Sequence, residues 1–241
     1  MSAPILITGI GKRIGYALAK HLLNSGHPVI GTYRTEYKSI EELRQLGAEL
    51  YCCDFYDNTQ ITALTNTIKT NHSQLRAIIH NASDWLPDSN ALPPAITLQR
   101  MMQVHVNTPY QINLALMDKL QTHSKTSCPK EPSDIIHFTD YVVDKGSKKH
   151  IAYAASKAAL TNMTLSFSAL LAPNVKVNAI APAMIMFNPD DDTEYRIKTL
   201  KKSLMEIEPG TQEIIEAVDY LLHSRYVTGR TLHVDGGRHL K

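Results

Sequence analysis

Several things are scarce in this sequence, and each shortage removes a class of protein. Only three cysteines occur, Cys52, Cys53 and Cys128. An odd number without scaffold or metal-ligand spacing excludes a disulfide framework and a zinc site, so no metal is expected. The adjacent pair falls in an expected buried strand and is read as reduced thiols. Neither sign of charge is in excess, because 25 Lys and Arg stand against 23 Asp and Glu for a net +2. That balance gives no support for a nucleic-acid or membrane surface, and any anion site has to be local. No apolar run is long enough to span a bilayer, and Met1-Ser-Ala-Pro4 leads straight into Ile5-Leu-Ile7 without a basic segment. The expectation is a soluble cytoplasmic protein with neither signal peptide nor spanning helix. There is also no internal repeat and no low-complexity tract.

What remains is ample apolar material. Residues of hydrophobic type make up 43% of 241, enough for one large domain over 1–241 without need of a second. Apolar, strand-like runs recur at Ile5 to Thr8, Pro28 to Tyr33, Glu49 to Cys53, Ala77 to His80, Ile135 to Thr139, Val175 to Ile180 and Thr231 to Val234. Amphipathic segments near 13–25, 39–46, 58–70, 95–122, 152–171 and 211–222 lie between them. Continuous β-branched runs separated by helices predict a parallel seven-stranded sheet covered on both faces, an α/β doubly wound Rossmann fold. Thr122 to Ser133, with Pro129 and Pro132, reads as a surface loop.

The clearest ligand signal is the first turn, Gly9-Ile-Gly11-Lys12-Arg13-Ile14-Gly15, between a strand and a helix. Glycines let backbone approach a phosphate, and a helix N-terminus offers free N–H groups and a positive dipole end, so a dinucleotide pyrophosphate fits. An ordinary strand-to-helix turn is the competing reading. The last glycine comes one residue later than in G-x-G-x-x-G, and Arg13 lies where its guanidinium can face the ligand. The second strand ends in Arg34-Thr35, where an NAD enzyme usually places a carboxylate. A guanidinium and a hydroxyl suit a 2′-phosphate, which predicts NADPH, against the alternative of a solvated arginine. Asp54-Phe55, after the third strand, are placed beside the adenine, and Asn81-Ala82-Ser83, after the fourth, on the nicotinamide side.

Tyr153-x-x-x-Lys157 puts a phenol and an ammonium one helical turn apart, where the cation is expected to pull the phenol's pKa down. The pattern occurs three times, at Tyr16/Lys20, Tyr141/Lys145 and Tyr153/Lys157, against roughly 0.7 expected by chance. Spacing alone does not choose among them. Asp140, thirteen residues before Tyr153, ends a buried strand and reads either as an acid coupled to Tyr153 or as a loop cap. A carboxylate there would repel the alkoxide formed from a simple ketone, whereas reduction of a C=N bond requires a proton at nitrogen.

Thr8-Gly9-x-x-x-Arg13-x-Gly15, His80-Asn-Ala-Ser83, Asn107, Tyr153-x-x-x-Lys157 and Val234-Asp-Gly-Gly237 together resemble the short-chain dehydrogenase/reductase family over essentially the whole chain. The resemblance selects Tyr153/Lys157, and implies Tyr153 as proton donor, Lys157 on the nicotinamide ribose and Asn107 in a proton relay. It also adds Pro182 and Ala183 to the cofactor contacts. Arg13 in place of a glycine, with Asp140 in place of a serine, is similar to the pteridine reductases. That likeness implies reduction of a 7,8-dihydropterin, dihydromonapterin first and dihydrofolate or dihydrobiopterin weakly, within tetrahydropterin and one-carbon metabolism. Arg13, Ser83, Trp85, Asp140 and Tyr153 would then contact substrate, although Trp85 is equally readable as a packing residue. Ketone or quinone reduction and a silent dinucleotide-binding regulator are the alternatives. Residues 183–206, with Met184-Ile-Met-Phe187 and Asp190-Asp-Asp192, are expected to form a mobile substrate lid, with Tyr195 a further contact. By the same resemblance, the helices near 95–122 and 152–171, the latter with Ala154, Ala155, Ala158 and Ala159, would pair copies into a homotetramer or a dimer.

Overall fold

Strands without a polar face must be covered on both sides, and this chain builds its core accordingly. The computed structural model describes residues 2–127 and 131–241. The strands are β1 (Ile5–Ile7), β2 (Val29–Tyr33), β3 (Glu49–Cys52), β4 (Ala77–His80), β5 (Ser133–Phe138), β6 (Val175–Pro182) and β7 (Thr231–Val234). They form one parallel sheet in the order β3-β2-β1-β4-β5-β6-β7. The helices are α1 (Arg13–Asn24), α2 (Lys38–Gln45), α3 (Asn58–Asn71), α4 (Pro94–Met102), α5 (Thr108–Thr126), α6 (Ile151–Leu171), α7 (Thr193–Leu200) and α8 (Gln212–His223). Successive strand side chains point to opposite faces, so Ile5 and Ile7 join Leu18, Leu22, Ile214 and Val218 under α1 and α8. Leu6 faces the other way, toward Ile61, Ile112, Leu116 and Phe167 under α3, α5 and α6. Among the described residues no helix is long and apolar enough to cross a membrane.

The single helix expected at 95–122 is two helices in line, α4 and α5, joined by a π turn at Gln103–Asn107. Its apolar periodicity runs through the joint, which is why the sequence reads as continuous. α5 also continues to Thr126, shortening the expected loop, and Cys128, Pro129 and Lys130 lie outside the described residues. α7 was not expected. Its start is capped by Asp192, whose carboxylate accepts the Tyr195 N–H at 2.7 Å, so part of the acidic run that reads as loop is a helix cap. Cys53 lies just past β3, buried, with its N–H on the Tyr33 carbonyl at 2.8 Å, and burial pushes its thiol up to about 12. Cys52 is exposed, and both are free thiols.

The end of the sheet opposite the glycine turn is held by charge. Asp134 of β5 is fully buried between Arg76, at 2.6 Å, and Lys176 of β6, at 2.8 Å. Arg76 also donates to the Leu222 carbonyl at 2.7 Å, tying β4, β5, β6 and α8 together. Removing one member of such a cluster leaves uncompensated charge in the interior. Asp134→Asn is therefore expected to cost about 3–5 kcal/mol in urea unfolding, with turnover per folded molecule unchanged. An unaltered urea midpoint would refute this role for Asp134.

Candidate active site

Strand order reverses at β1, whose neighbours are β2 and β4, and a crevice opens there beyond the carboxyl ends of the strands. It has a volume of about 610 Å³. The candidates from four separate turns all line it: Gly9, Gly11, Lys12, Arg13 and Ile14; Arg34 and Thr35; Asp54 and Phe55; Asn81, Ala82 and Ser83. Close packing makes the cradle. Gly9 has φ +72°, and a Cβ on it would lie 2.8 Å from the Ala82 Cα, while one on Gly15 would meet the Gly9 carbonyl oxygen at 2.1 Å. The Asn81 amide donates to the Thr8 and Gly9 carbonyls at 3.1 and 2.9 Å, and the Ala82 N–H to the Thr8 hydroxyl at 3.0 Å. Asn81 thus spends its amide on shaping the turn. α1 begins with no side-chain cap and no acid in its first turn, so its dipole end is left for an anion.

Arg13 holds the left-handed conformation, φ +55°, where glycine is the usual residue. Its guanidinium donates to the Asn188 side chain at 2.6 Å and to the Met186 carbonyl at 2.8 Å, linking the start of α1 to the segment after β6. Arg34 is half-exposed, and its nearest carboxylate, Asp84, is 3.8 Å away. An ion pair that long and that wet is weak and leaves the guanidinium open to a phosphate.

The second group of candidates meets at the ends of β5 and α6. Asp140 divides its carboxylate, accepting the Val142 N–H at 2.9 Å with one oxygen and the Tyr153 hydroxyl at 2.7 Å with the other. Both readings of Asp140, cap and tyrosine partner, hold at once. Lys157 is 2% exposed, and its ammonium donates to the Phe138 carbonyl at 2.7 Å and lies 5.6 Å from the Tyr153 ring centre. Burial lowers its pKa to about 8, against the upward pull of Asp140. The phenol does not follow the expected direction. Burial first, then the charge and hydrogen bond of Asp140, raise Tyr153 well above its ordinary value, so the phenol holds its proton. Asp140 is itself raised, chiefly by burial, against its hydrogen bonds to Val142 and Tyr153 and the charges of Lys157 and Arg238. Asn107 ends the π turn with its side-chain nitrogen donating to the Gln103 side-chain oxygen at 2.6 Å and to that of Asn58 at 3.5 Å, so neither donor is directed at Tyr153.

Two neighbours were given no role in the sequence reading. His105 is 1% exposed and spans Ser83 and Ser156, its Nε2 2.8 Å from the Ser83 hydroxyl and its Nδ1 2.8 Å from the Ser156 hydroxyl. Burial and the Lys157 charge hold it neutral. His150, before α6, stacks on Trp85 with ring centres 3.9 Å apart. Trp85 is 62% exposed, so it is no part of the core; its packing is this one stack at a loop, and the rest of the ring faces solvent. Nothing but their position beside Asn107 and α6 marked these histidines in the sequence. Pro182 pairs with Val234, and Ala183 lines a neighbouring cavity of about 500 Å³ between β7 and the segment carrying Thr199 and Ser203. Tyr195 is exposed and edge-on to the buried Phe187 at 6.3 Å.

A family profile described as enoyl-(acyl carrier protein) reductase matches residues 9–239. A dihydromonapterin reductase of Enterobacter sp. (strain 638) is 57% identical over 237 residues, 98% of this chain and 97% of that protein. One from Escherichia coli O6:H1 is 54% identical over 240 residues, 100% of this chain and 98% of that protein. Among solved structures, FolM alternative dihydrofolate reductase 1 from Brucella suis, in complex with NADP, has a TM-score of 0.86 at 26% identity, covering 100% of this chain and 96% of that one. With the strand order, the glycine turn and the Tyr153–Lys157 helix in place, these matches make the chain a member of the short-chain dehydrogenase/reductase family.

Proposed function

We propose that this chain reduces 7,8-dihydropterins, dihydromonapterin first, with NADPH. The observation that carries the reading is the Tyr153 hydroxyl on the part-buried Asp140 carboxylate. A ketone reductase needs a neutral donor for a developing alkoxide, and a carboxylate in that place opposes it. A C=N bond needs a proton at nitrogen, which a phenol coupled to a carboxyl of raised pKa can hold and release. The full-length likeness to dihydromonapterin reductases points to the same substrate.

NADPH, when bound, supplies the hydride from the nicotinamide to the carbon of the C=N bond. The first turn of α1 would hold the pyrophosphate, Arg34, Thr35 and Lys12 the 2′-phosphate, Asp54 and Phe55 the adenine side, and Lys157 the nicotinamide ribose. Pro182 and Ala183 would close the far end of the cofactor site. The open face of Trp85 offers a stacking plane for a flat aminopyrimidinone, and the Ser83 hydroxyl and the Arg13 guanidinium offer edges for it. Residues 183–206 act as the lid of a single domain spanning 1–241. Ile185 seats that lid on the core, and Arg13 latches it to the cofactor turn. The α5 and α6 surfaces, with Tyr110, Leu114, Ile151, Leu165 and Leu170 exposed, support pairing of copies into a homotetramer. Free Cys52 and Cys53 suit the reducing cytoplasm.

The direct test is turnover with NADPH on dihydromonapterin, dihydrofolate and a simple ketone. Robust ketone reduction with no dihydropterin turnover would overturn the proposal, and turnover unchanged in Tyr153→Phe would remove the mechanism. That substitution is expected to lower kcat by about 10²–10³-fold.

The pH profile carries a signed expectation. Lys157 is charged below about pH 8 and neutral above it, so kcat should fall as pH rises through that value. Asp140 raises the Lys157 pKa, so Asp140→Asn should move this limb to lower pH as well as lowering kcat. A limb at the same pH in wild type and variant would count against the coupling.

Cofactor choice rests on Arg34. Arg34→Ala should raise KM for NADPH about tenfold or more while leaving KM for NADH within about twofold, as expected for loss of a charge-assisted contact. Equal effects on both cofactors would dismiss the 2′-phosphate assignment.

A further inference from the structure

We propose that Asp88 and His150 are positioning residues for the substrate. Together they fix the ring plane of Trp85 relative to the Tyr153 hydroxyl, so that a flat heterocycle stacked on Trp85 meets the proton donor. They act through Trp85 rather than on the reacting atoms. The inference rests on the dihydropterin reading and names what makes the site selective for a planar ring.

Residues 83–87 belong to no helix or strand, so other contacts have to fix them. Those contacts pin the segment to α6 at both ends. At Ser83 the tie runs through His105, whose ring nitrogens lie 2.8 Å from the Ser83 hydroxyl and 2.8 Å from that of Ser156. At the other end the Asp88 carboxylate accepts the Ile151 N–H at 2.6 Å and the Ala152 N–H at 3.3 Å. The Asp88 N–H returns to the Lys149 carbonyl at 2.9 Å. Between these points Leu86 packs against the cluster of Met101, Ala152 and Tyr153, and its carbonyl lies 3.2 Å from the His150 Nδ1. Trp85 then lies on the His150 ring, centres 3.9 Å apart and planes 22° from parallel.

The start of α6 depends on this loop in turn. The first N–H groups of any helix lack internal partners. α6 has no side-chain cap of its own and no acid in its first turn. The carboxylate that complements its dipole end comes from 63 positions away, on the segment that carries Trp85. Tyr153 is the third residue of the same helix. One carboxylate therefore holds both the helix end bearing the phenol and the loop bearing the indole, and it sets the spacing between them. Trp85 lines the crevice beside Ser83, with the imidazole behind it and the rest of its ring exposed. No core packing holds such an indole, so the imidazole is its backing. A ring held in one plane before the ligand arrives loses less freedom on binding, and stacked aromatic pairs gain beyond their buried area. A planar bicyclic substrate collects that gain, and a puckered or branched one does not.

The test combines kinetics on dihydromonapterin with the fluorescence of Trp85, the single tryptophan of the chain. His150→Leu is expected to raise KM for dihydromonapterin about five- to tenfold, with kcat and KM for NADPH within about twofold of wild type. His150→Phe restores a ring and should return that KM to within about threefold of wild type. Asp88→Ala frees both the helix start and the loop, so it should raise the same KM about tenfold and lower kcat about tenfold, whereas Asp88→Asn, an equally good cap, should stay within about threefold. Titrating dihydromonapterin into the NADP⁺-loaded protein should quench Trp85, with the midpoint at about tenfold more ligand in His150→Leu. Calorimetry of NADP⁺ binding reads the integrity of the crevice separately. A KM unmoved in His150→Leu, equal losses in the leucine and phenylalanine variants, a parallel loss of NADP⁺ affinity in His150→Leu, or Trp85 emission indifferent to dihydromonapterin would each overturn the proposal. Quenching that depends on His150, with no reduction of dihydromonapterin, would overturn the assigned reaction and leave the platform standing.

Discussion

An ammonium group out of water needs a fixed partner, and at Lys157 that need organises the active end of the molecule. The partner is the Phe138 carbonyl at the end of β5, 2.7 Å away. To reach it, α6 must lie with its first turns across the carboxyl ends of β5 and β6, and this carries Tyr153 to Asp140. Asp140 can be desolvated there because Val142, Tyr153 and the nearby cations offset part of the cost. Each group in this cluster is tolerable only with the others present. Burial acts in the same sense on all three: it raises the two acids and lowers the ammonium, so the neutral form of each is favoured. A site poised to transfer one proton is the result.

The cofactor end depends on a different economy. α1 leaves its N-terminus uncapped, and the glycine turn is compressed until no Cβ fits at Gly9 or Gly15. In that setting the left-handed backbone of Arg13 is informative, because a non-glycine residue there carries strain that the surroundings must hold. The hydrogen bonds to Asn188 and Met186 hold it. The residue at the open end of α1 thus also ties that end to the segment after β6.

Much of this was readable from residues alone because it rests on short-range rules. Apolar runs gave the strands to within a residue or two, and their β-branched continuity gave the parallel sheet. The glycine turn, Arg34, Asp140 and Ser83 are local signals at strand ends, where a doubly wound fold gathers ligand residues. What sequence could not supply was the environment. The shift of Tyr153 upward rather than downward depends on burial and on which oxygen of Asp140 it meets, and neither follows from i, i+4 spacing. The π turn breaks a periodicity that looks unbroken. α7 is short and exposed on most of its surface, so the apolar pattern that reveals other helices is weak there. His105 and His150 became visible only once α6 had been packed beside the turn after β4.

His105 sharpens the choice of substrate beyond what Asp140 alone supplies. The Asp84 N–H points at its Nε2 at 3.3 Å, which makes Nε2 the unprotonated nitrogen and places the ring proton on Nδ1. Nδ1 then donates to the Ser156 hydroxyl, whose own hydrogen goes to the Tyr153 carbonyl at 2.7 Å. The Ser83 hydroxyl, 2.8 Å from Nε2, must turn its hydrogen toward His105. Its lone pairs are left facing the cleft. Ser83 therefore offers an acceptor to whatever lies against Trp85, and a ligand edge that complements it carries N–H groups. An aminopyrimidinone ring has such an edge, and a simple ketone has none. The buried imidazole and the Asp140 carboxylate thus select the same kind of ligand through different atoms, one by setting the direction of a hydroxyl and the other by holding a proton.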